Sequence, residues 1–224
     1  MSKFLRFCVR PEILLGILCL LTYFPTFHSE FKIDDFIYAG RSIKLQYSTV
    51  VDLFSHSENQ HFNPINIIFN SILFKLFGKN VVFFHLLNLL LFYMNCFFLY
   101  WICYVMTKNK NASLWGAILF CLNPLNAEIV NQIVFSTVLL AAGTFQISLI
   151  YYDRYLRDNR KRDFVVALLC AGLSILTLET SWILPFYFLA WACLIRRMNF
   201  KNAFKSVLFF LGIVLTLFVA WYFI

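Results

Sequence analysis

The apolar run at residues 80–106 places the strongest constraint on how this chain can fold. It contains no Lys, Arg, Asp or Glu, and it exceeds the roughly 20 apolar residues that a helix needs to cross a bilayer. The whole chain agrees, since 61% of its residues are hydrophobic and 13% are charged, against about 45–50% and about 25% in soluble domains. Continuous runs, rather than alternating segments of about ten residues, argue against a transmembrane β-barrel. We therefore predict an all-α integral membrane protein.

Similar runs predict one transmembrane domain over residues 1–224 with about seven membrane-spanning helices. The runs lie at residues 12–27, 80–106, 112–122, 130–152, 164–178, 182–195 and 207–224. The first run resembles a secretory signal, because Lys3, Arg6 and Arg10 precede it. Small residues are missing at a cleavage position, so we expect it to remain as the first span. Residues 153–163 and 196–205 are expected to form charged turns.

A polar stretch at residues 28–61 separates the first two runs and is predicted to be a long outer loop. Loops of this length inside compact proteins are usually functional, and a short surface helix is expected at residues 47–54. Pro64–Phe77 is apolar but too short for a full span. It is predicted to be an interfacial or re-entrant helix that ends at Gly78.

The distribution of basic residues predicts an orientation with the N-terminus in the cytoplasm. With seven spans, 14 of the 19 Lys and Arg residues fall on the inner side and five on the outer side, as the positive-inside rule requires. The charge of +8 is spread over several turns rather than one patch, which argues against a nucleic-acid surface. Seven of the 11 acidic residues fall outside, so the loop acids and those near later helix ends can meet on the extracytoplasmic face.

The adjacent carboxylates Asp34 and Asp35 in the outer loop are the first candidates for chemistry. A hydroxyl group that attacks a sugar carbon needs a base to remove its proton, and a positioned carboxylate can act as that base. The alternative is a solvated acidic turn, because such a dipeptide is common. Outer cations that could bind a phosphate are Arg41, Lys44 and His61. Glu128, near an outer helix end, could orient an acceptor or pair with Arg41, and Glu179 has a similar position.

Metal and cofactor sites are not predicted. The seven cysteines have no metal-binding spacing and none lies in the outer loop, so they are interpreted as small packing residues. A divalent metal at His56, Glu58 and His61 is the open alternative, without helical ligand spacing to support it. His85 lies inside an apolar run and is expected to hydrogen-bond a neighbouring helix.

Several blocks of residues occur in an order that resembles the N-terminal half of GT-C membrane glycosyltransferases. The nearest resemblance is to the transmembrane and tetratricopeptide-repeat O-mannosyltransferases and their bacterial relatives. It covers residues 12–190, most of the chain. The blocks are residues 31–36, 61–64, 76–78, 84–91, 117–130 and 173–179.

The resemblance implies a specific activity. In that family the acidic pair of the first outer loop is the catalytic feature, which corresponds to Asp34 and Asp35 here. The donor is a polyprenyl-phosphate sugar with the lipid phosphate as leaving group, and the acceptor is a hydroxyl of a protein or glycan. The implied partners are therefore membrane lipid, this donor and that acceptor, at an active face in the periplasm or the ER lumen.

A non-catalytic membrane protein of the same fold, a scaffold or assembly partner, is the alternative. Polar residues that relatives carry are replaced here by Asn63, Asn123 and Leu178. The C-terminal acceptor-recognition domain of full transferases is expected to be absent from the chain. A transporter is disfavoured, because the ionisable residues gather at the ends of the runs and not in their middle.

Overall fold

The structure, a computed structural model, describes residues 10–32, Asp35 and 64–223, and the side chains among them as far as Val219. The predicted surface helix at residues 47–54 and most of the outer loop lie outside this part of the chain. Nine α-helices are present in the described ranges: α1 (Pro11–Tyr23), α2 (Pro64–Phe77), α3 (Val81–Thr107), α4 (Lys110–Cys121), α5 (Asn126–Asn131), α6 (Ser136–Asp158), α7 (Lys161–Thr177), α8 (Leu184–Leu194) and α9 (Phe200–Phe223).

The predicted all-α architecture is confirmed for the described residues, none of which forms a strand. Four helical segments are long and apolar enough to cross a membrane, namely Pro11–His28, Val81–Thr107, Ile133–Asp158 and Phe200–Val219. Helices also form at the other three predicted spans, but α4, α7 and α8 have 12, 17 and 11 residues. They are shorter than the roughly 20 residues of a full span. The count of seven spans therefore stays a prediction.

Pro64–Phe77 forms helix α2 as predicted, and the left-handed conformation of Gly78 (φ 58°) ends it. Glycine adopts this conformation without the steric cost that a Cβ atom brings. Residues with the same left-handed conformation end two of the long helices. They are Lys108 after α3 and Asn159 after α6, and each bonds its backbone N–H to a carbonyl one helical turn earlier.

The predicted charged turn at residues 153–163 is wrong, because α6 continues to Asp158 and α7 begins at Lys161. The chain reverses at residues 159–160 alone. Asp153 is tolerated inside α6 because Arg196 pairs with it. The start of this span is also later than predicted, since α5 and the 3₁₀ turn Ile133–Phe135 precede α6.

Helix α3 is the centre of one half of the bundle. It packs antiparallel to α1 and α4 and parallel to α6. Tyr23 of α1 packs edge-on against Phe92 of α3, with 5.0 Å between ring centroids. The side-chain amide of Asn95 donates to the carbonyl of Leu139, at 2.9 Å. In lipid such contacts replace the hydrophobic driving force that water supplies to soluble helices.

Helices α6 to α9 form the other half. The hydroxyls of Ser148 and Ser174 donate to the carbonyls of Ala167 and Ala141, at 2.6 and 2.9 Å, and so fix α6 antiparallel to α7. Small side chains let these two backbones approach closely. Aromatic rings of α6, α8 and α9 fill the adjoining core.

The antiparallel order gives the bundle two chemically different ends. The reversals between α3 and α4, α6 and α7, and α8 and α9 lie at one end, here called the basic end. The opposite end holds Asp35, the start of α3 and the 3₁₀ turn Ile133–Phe135, and is here called the Asp35 end. Described Lys and Arg residues at the basic end are Arg10, Lys108, Lys110, Arg154, Arg157, Arg160, Lys161, Arg162, Arg196, Arg197, Lys201 and Lys205.

The amide of Asn88 offers a test of the parallel contact between α3 and the segment that leads into α6. Asn88 is fully buried, and its Nδ2 donates to the carbonyl of Gln132 at 2.8 Å. We expect Asn88→Ala to lower the free energy of unfolding by about 1 kcal/mol, since the Gln132 carbonyl loses its side-chain donor away from water and keeps, among the described residues, only the backbone N–H of Phe135, at 3.2 Å. Thermal unfolding of the detergent-purified protein measures the effect. Asn111→Ala, at an exposed site in α4, is the matched control, and an equal change in both variants would contradict the assignment.

Candidate functional site

The carboxylate of Asp35 lies buried at one end of the bundle, with 1% of the residue exposed. Its Oδ2 accepts a hydrogen bond from the backbone N–H of Lys32 at 2.9 Å. Its Oδ1 accepts one from the backbone N–H of Val134 at 2.8 Å. Asp35 therefore joins the segment after α1 to the 3₁₀ turn Ile133–Phe135, which are far apart in the sequence.

The position of Asp35 also suits its charge. The 3₁₀ turn leads directly into α6, and the N–H groups at the start of a helix lack partners inside the helix. A carboxylate that accepts from one of them satisfies a donor and lies at the positive end of the helix dipole. The carboxylate is thus fixed in position. Each of its oxygens keeps one further lone pair, because a carboxylate oxygen accepts about two hydrogen bonds.

His85 fixes the same segment from α3. Its Nε2 donates to the carbonyl of Ser29 at 3.1 Å, which requires that this nitrogen carries a proton. The predicted hydrogen bond of His85 therefore exists, but its partner is the extended backbone after α1 and not a helix. The other ring nitrogen, Nδ1, is buried and has no hydrogen-bond partner among the described residues. His85 thus holds the segment at Ser29, three residues before Lys32. Asp35, three residues after Lys32, holds the same segment through its bond to Val134.

Glu128 lies at the same end, in the short helix α5, and is exposed. Its Oε1 accepts from the side-chain amide of Gln132 at 2.9 Å. Gln132 is two residues from Val134, so Glu128 and Asp35 are attached to the same short stretch of chain. Glu179, half-buried, begins the 3₁₀ turn Glu179–Ile183 after α7.

Four predicted site residues lie outside the described residues: Asp34, Arg41, Lys44 and His61. The pairing of Glu128 with Arg41, and the alternative metal site at His56, Glu58 and His61, fall outside them too. The roles of all the predicted residues stay predictions. Within the part of the chain that is described, the Asp35 end brings no three metal-ligating side chains together.

The bundle contains two cavities that bear on ligand binding. A small one of about 240 Å³ lies at the Asp35 end between the exit of α1 and the loop before α5, and Tyr23, Thr26, Ser29 and Asn131 are among its lining residues. A larger groove of about 560 Å³ runs between α3, α6 and α8. Its walls are mostly apolar and extend from Ser181 towards Ile195. A volume of this size suits a chain-like apolar ligand or a lipid tail.

A second polar site lies at the basic end and was missed by the sequence reasoning. Arg196 pairs with Asp153 through two nitrogens, with Nε to Oδ1 at 2.7 Å. The indole N–H of Trp191 donates to Oδ1 of the same carboxylate at 2.8 Å. Asp153 is 2% exposed. The sequence signal for this site was Asp153, an acid directly after an apolar run. The prediction placed Asp153 in the charged turn at residues 153–163, so its burial was not expected.

Comparisons with known proteins give this chain no relatives. No protein family, no curated protein and no solved structure matches it. The described residues define the class as an all-α protein with four helical segments long and apolar enough to cross a membrane.

Proposed function

We propose that this chain is a membrane-embedded glycosyltransferase of the GT-C type. In this proposal it transfers a sugar from a polyprenyl-phosphate donor to a hydroxyl acceptor, on the extracytoplasmic face. The observation that carries the proposal is the Asp35 carboxylate, which two backbone N–H groups hold at the end of the bundle. A general base must lie within hydrogen-bond reach of the proton that it removes, and only then does its proton affinity affect the rate.

The chemistry divides between the acidic pair and the loop cations. Asp34 or Asp35 takes the proton of the acceptor hydroxyl while that oxygen attacks the anomeric carbon of the sugar. The bond to the lipid phosphate breaks, and the phosphate leaves with an added negative charge. Arg41, Lys44 and His61 stabilise that charge, and Glu128 orients the acceptor. No metal or other cofactor enters this scheme.

The groove between α3, α6 and α8 is an argument for a lipid-linked donor. It is lined mainly by apolar side chains, and Thr180 and Ser181 lie at one of its ends. These two residues are in the 3₁₀ turn that follows α7, at the Asp35 end. An isoprenoid chain in the groove would keep its phosphate at that end. The concentration of Lys and Arg at the opposite end favours a cytoplasmic position for the basic end and the N-terminus.

The test uses the purified full chain, a short-chain polyprenyl-phosphate mannose and a pool of Ser/Thr-containing peptides. We expect the protein to bind the donor and to release polyprenyl phosphate. Asp34→Asn with Asp35→Asn should reduce release at least about 100-fold, because a general base contributes 10²–10⁴ in rate. Donor binding should remain. Asp158→Asn, at an exposed position of the basic end, serves as the control and should keep full activity.

Loss of folding must be separated from loss of chemistry. Because Asp35 bonds two backbone amides, the single variant Asp34→Asn and the thermal stability of every variant are measured alongside. Absence of donor binding by the unmodified protein would contradict the proposal. Turnover that is unchanged in the double variant would contradict the role of the acidic pair.

A non-catalytic scaffold is the second candidate, and the burial of Asp35 favours it. Both oxygens of this carboxylate already bond backbone amides, and 1% of the residue is exposed, as expected for a structural link between segments. In that case Asp35→Asn lowers stability, Asp34→Asn changes nothing, and the unmodified protein does not turn over the donor. The same measurements therefore distinguish the two functions.

A further inference from the structure

Three cysteines from three different helices meet inside the bundle. They are Cys19 of α1, Cys96 of α3 and Cys121 of α4, and at most 1% of each residue is exposed. The sulfur of Cys19 lies 3.4 Å from that of Cys121 and 3.9 Å from that of Cys96. All three sulfurs lie within 4.8 Å of one another. Their sequence spacing gave no metal motif, because the three ligands come together through helix packing.

From this cluster we propose a metal site that is independent of the proposed transferase activity: Cys19, Cys96 and Cys121 bind one Cu(I) ion in three-coordinate geometry. Thiolate sulfur is the ligand that Cu(I) prefers. A metal–sulfur bond of about 2.3 Å in a trigonal plane separates the sulfurs by about 4.0 Å. The two separations from Cys19, 3.4 and 3.9 Å, lie at or below that value, and all three fall within 4.8 Å, so small side-chain rotations would complete the site.

The number of ligands selects Cu(I) over zinc. Structural zinc sites have four protein ligands, and catalytic ones complete three with water. Among the described residues no fourth His, Cys, Asp or Glu joins this group. Water is excluded by the surrounding apolar side chains, among them Leu89, Phe92 and Leu139. Three-coordinate binding without water is therefore the geometry that this cluster supplies.

Cysteine binds a metal ion as the thiolate, so the three thiols must lose their protons when the ion binds. With three thiolate ligands, up to three protons are released for each Cu(I) ion bound, and the affinity therefore depends on pH. The bound ion would connect α1 to α3 and α4.

The test is Cu(I) binding by the full chain in detergent under anaerobic conditions, in competition with a chromogenic Cu(I) chelator. We expect one ion per chain and an increase in the unfolding temperature when it binds. The triple variant Cys19→Ser, Cys96→Ser, Cys121→Ser should lose this binding. The triple variant Cys103→Ser, Cys170→Ser, Cys193→Ser is the matched control, because these cysteines lie outside the cluster. This control variant should retain Cu(I) binding.

X-ray absorption on the unmodified protein keeps the proposal testable if the first variant does not fold. It should give three sulfur neighbours at about 2.3 Å and no nitrogen or oxygen neighbour. Equal Cu(I) binding by the two triple variants would overturn the site. A disulfide between Cys19 and Cys121 in freshly isolated protein, or coordination by ligands other than sulfur, would overturn it as well.

Discussion

Arg196→Met should destabilise the protein by about 3–5 kcal/mol, because it leaves the carboxylate of Asp153 buried without its cation. Asp153 is 2% exposed and lies at the end of α6 where α8 ends. Trp191 still donates one hydrogen bond to it, but one neutral donor does not replace a guanidinium that bonds both oxygens. The measurement is thermal or chemical unfolding of the detergent-purified variant, compared with the unmodified chain.

Two further variants separate the ion pair from the loss of a long side chain. Arg197→Met makes the same change one residue later, at an exposed position, and should leave stability within about 0.5 kcal/mol of the unmodified protein. Asp153→Asn combined with Arg196→Met removes both charges and keeps an oxygen that accepts from Trp191. That double variant should recover most of the lost stability. If it is as unstable as Arg196→Met alone, the buried charge is not the cause.

Phe188→Ala is expected to produce the second large loss, about 3 kcal/mol. The ring of Phe188 is fully buried and stacks on Tyr152 of α6, with 4.5 Å between centroids and 8° between planes. It also meets Phe210 of α9 edge-on at 4.7 Å. Removal of this ring leaves a cavity where α6, α8 and α9 join, and the lining atoms lose their dispersion contacts.

The control lies two residues earlier on the same helix. Phe186 is 64% exposed, so Phe186→Ala removes an identical side chain from a surface that lipid or detergent covers. It should change the unfolding temperature little, since the apolar solvent replaces the lost contacts. Unfolding followed by size-exclusion fluorescence compares the two variants directly. Equal losses of stability in the two variants would contradict the orientation of α8 in which Phe188 faces the core and Phe186 faces lipid.

The fold could be predicted from the sequence wherever a periodicity or a composition carried the signal. Long apolar runs predicted the helices, and the short run at Pro64–Phe77 was predicted with its correct bounds, because Gly78 ends it in a conformation that favours glycine. The charged turn at residues 153–163 was wrong for the opposite reason. Charge density at residues 153–163 suggests solvent, whereas a helix can continue into such a stretch when Arg196, remote in sequence, pairs with its first acid, Asp153.

The candidate site could be predicted only in part. Asp35 was chosen for its chemistry, but its two backbone partners depend on how residues 32 and 134 come together, which no local pattern encodes. The same limit applies to the cysteine cluster, whose members are separated by tens of residues. Contacts between distant segments depend on helix packing, and a single sequence specifies that packing through many weak preferences.

The two asparagines of α3 give the bundle a fixed register. Asn88 and Asn95 are seven residues apart, and the carbonyls that they bond, at Gln132 and Leu139, are also seven residues apart. A slide of α3 by one helical turn would break both hydrogen bonds together. Lipid offers the two carbonyls no replacement for the side-chain donors that they would lose. Shear motion of one element past another, a common form of conformational switching, is therefore disfavoured at this contact. Any movement that accompanies ligand entry is expected on the α8 side of the groove instead.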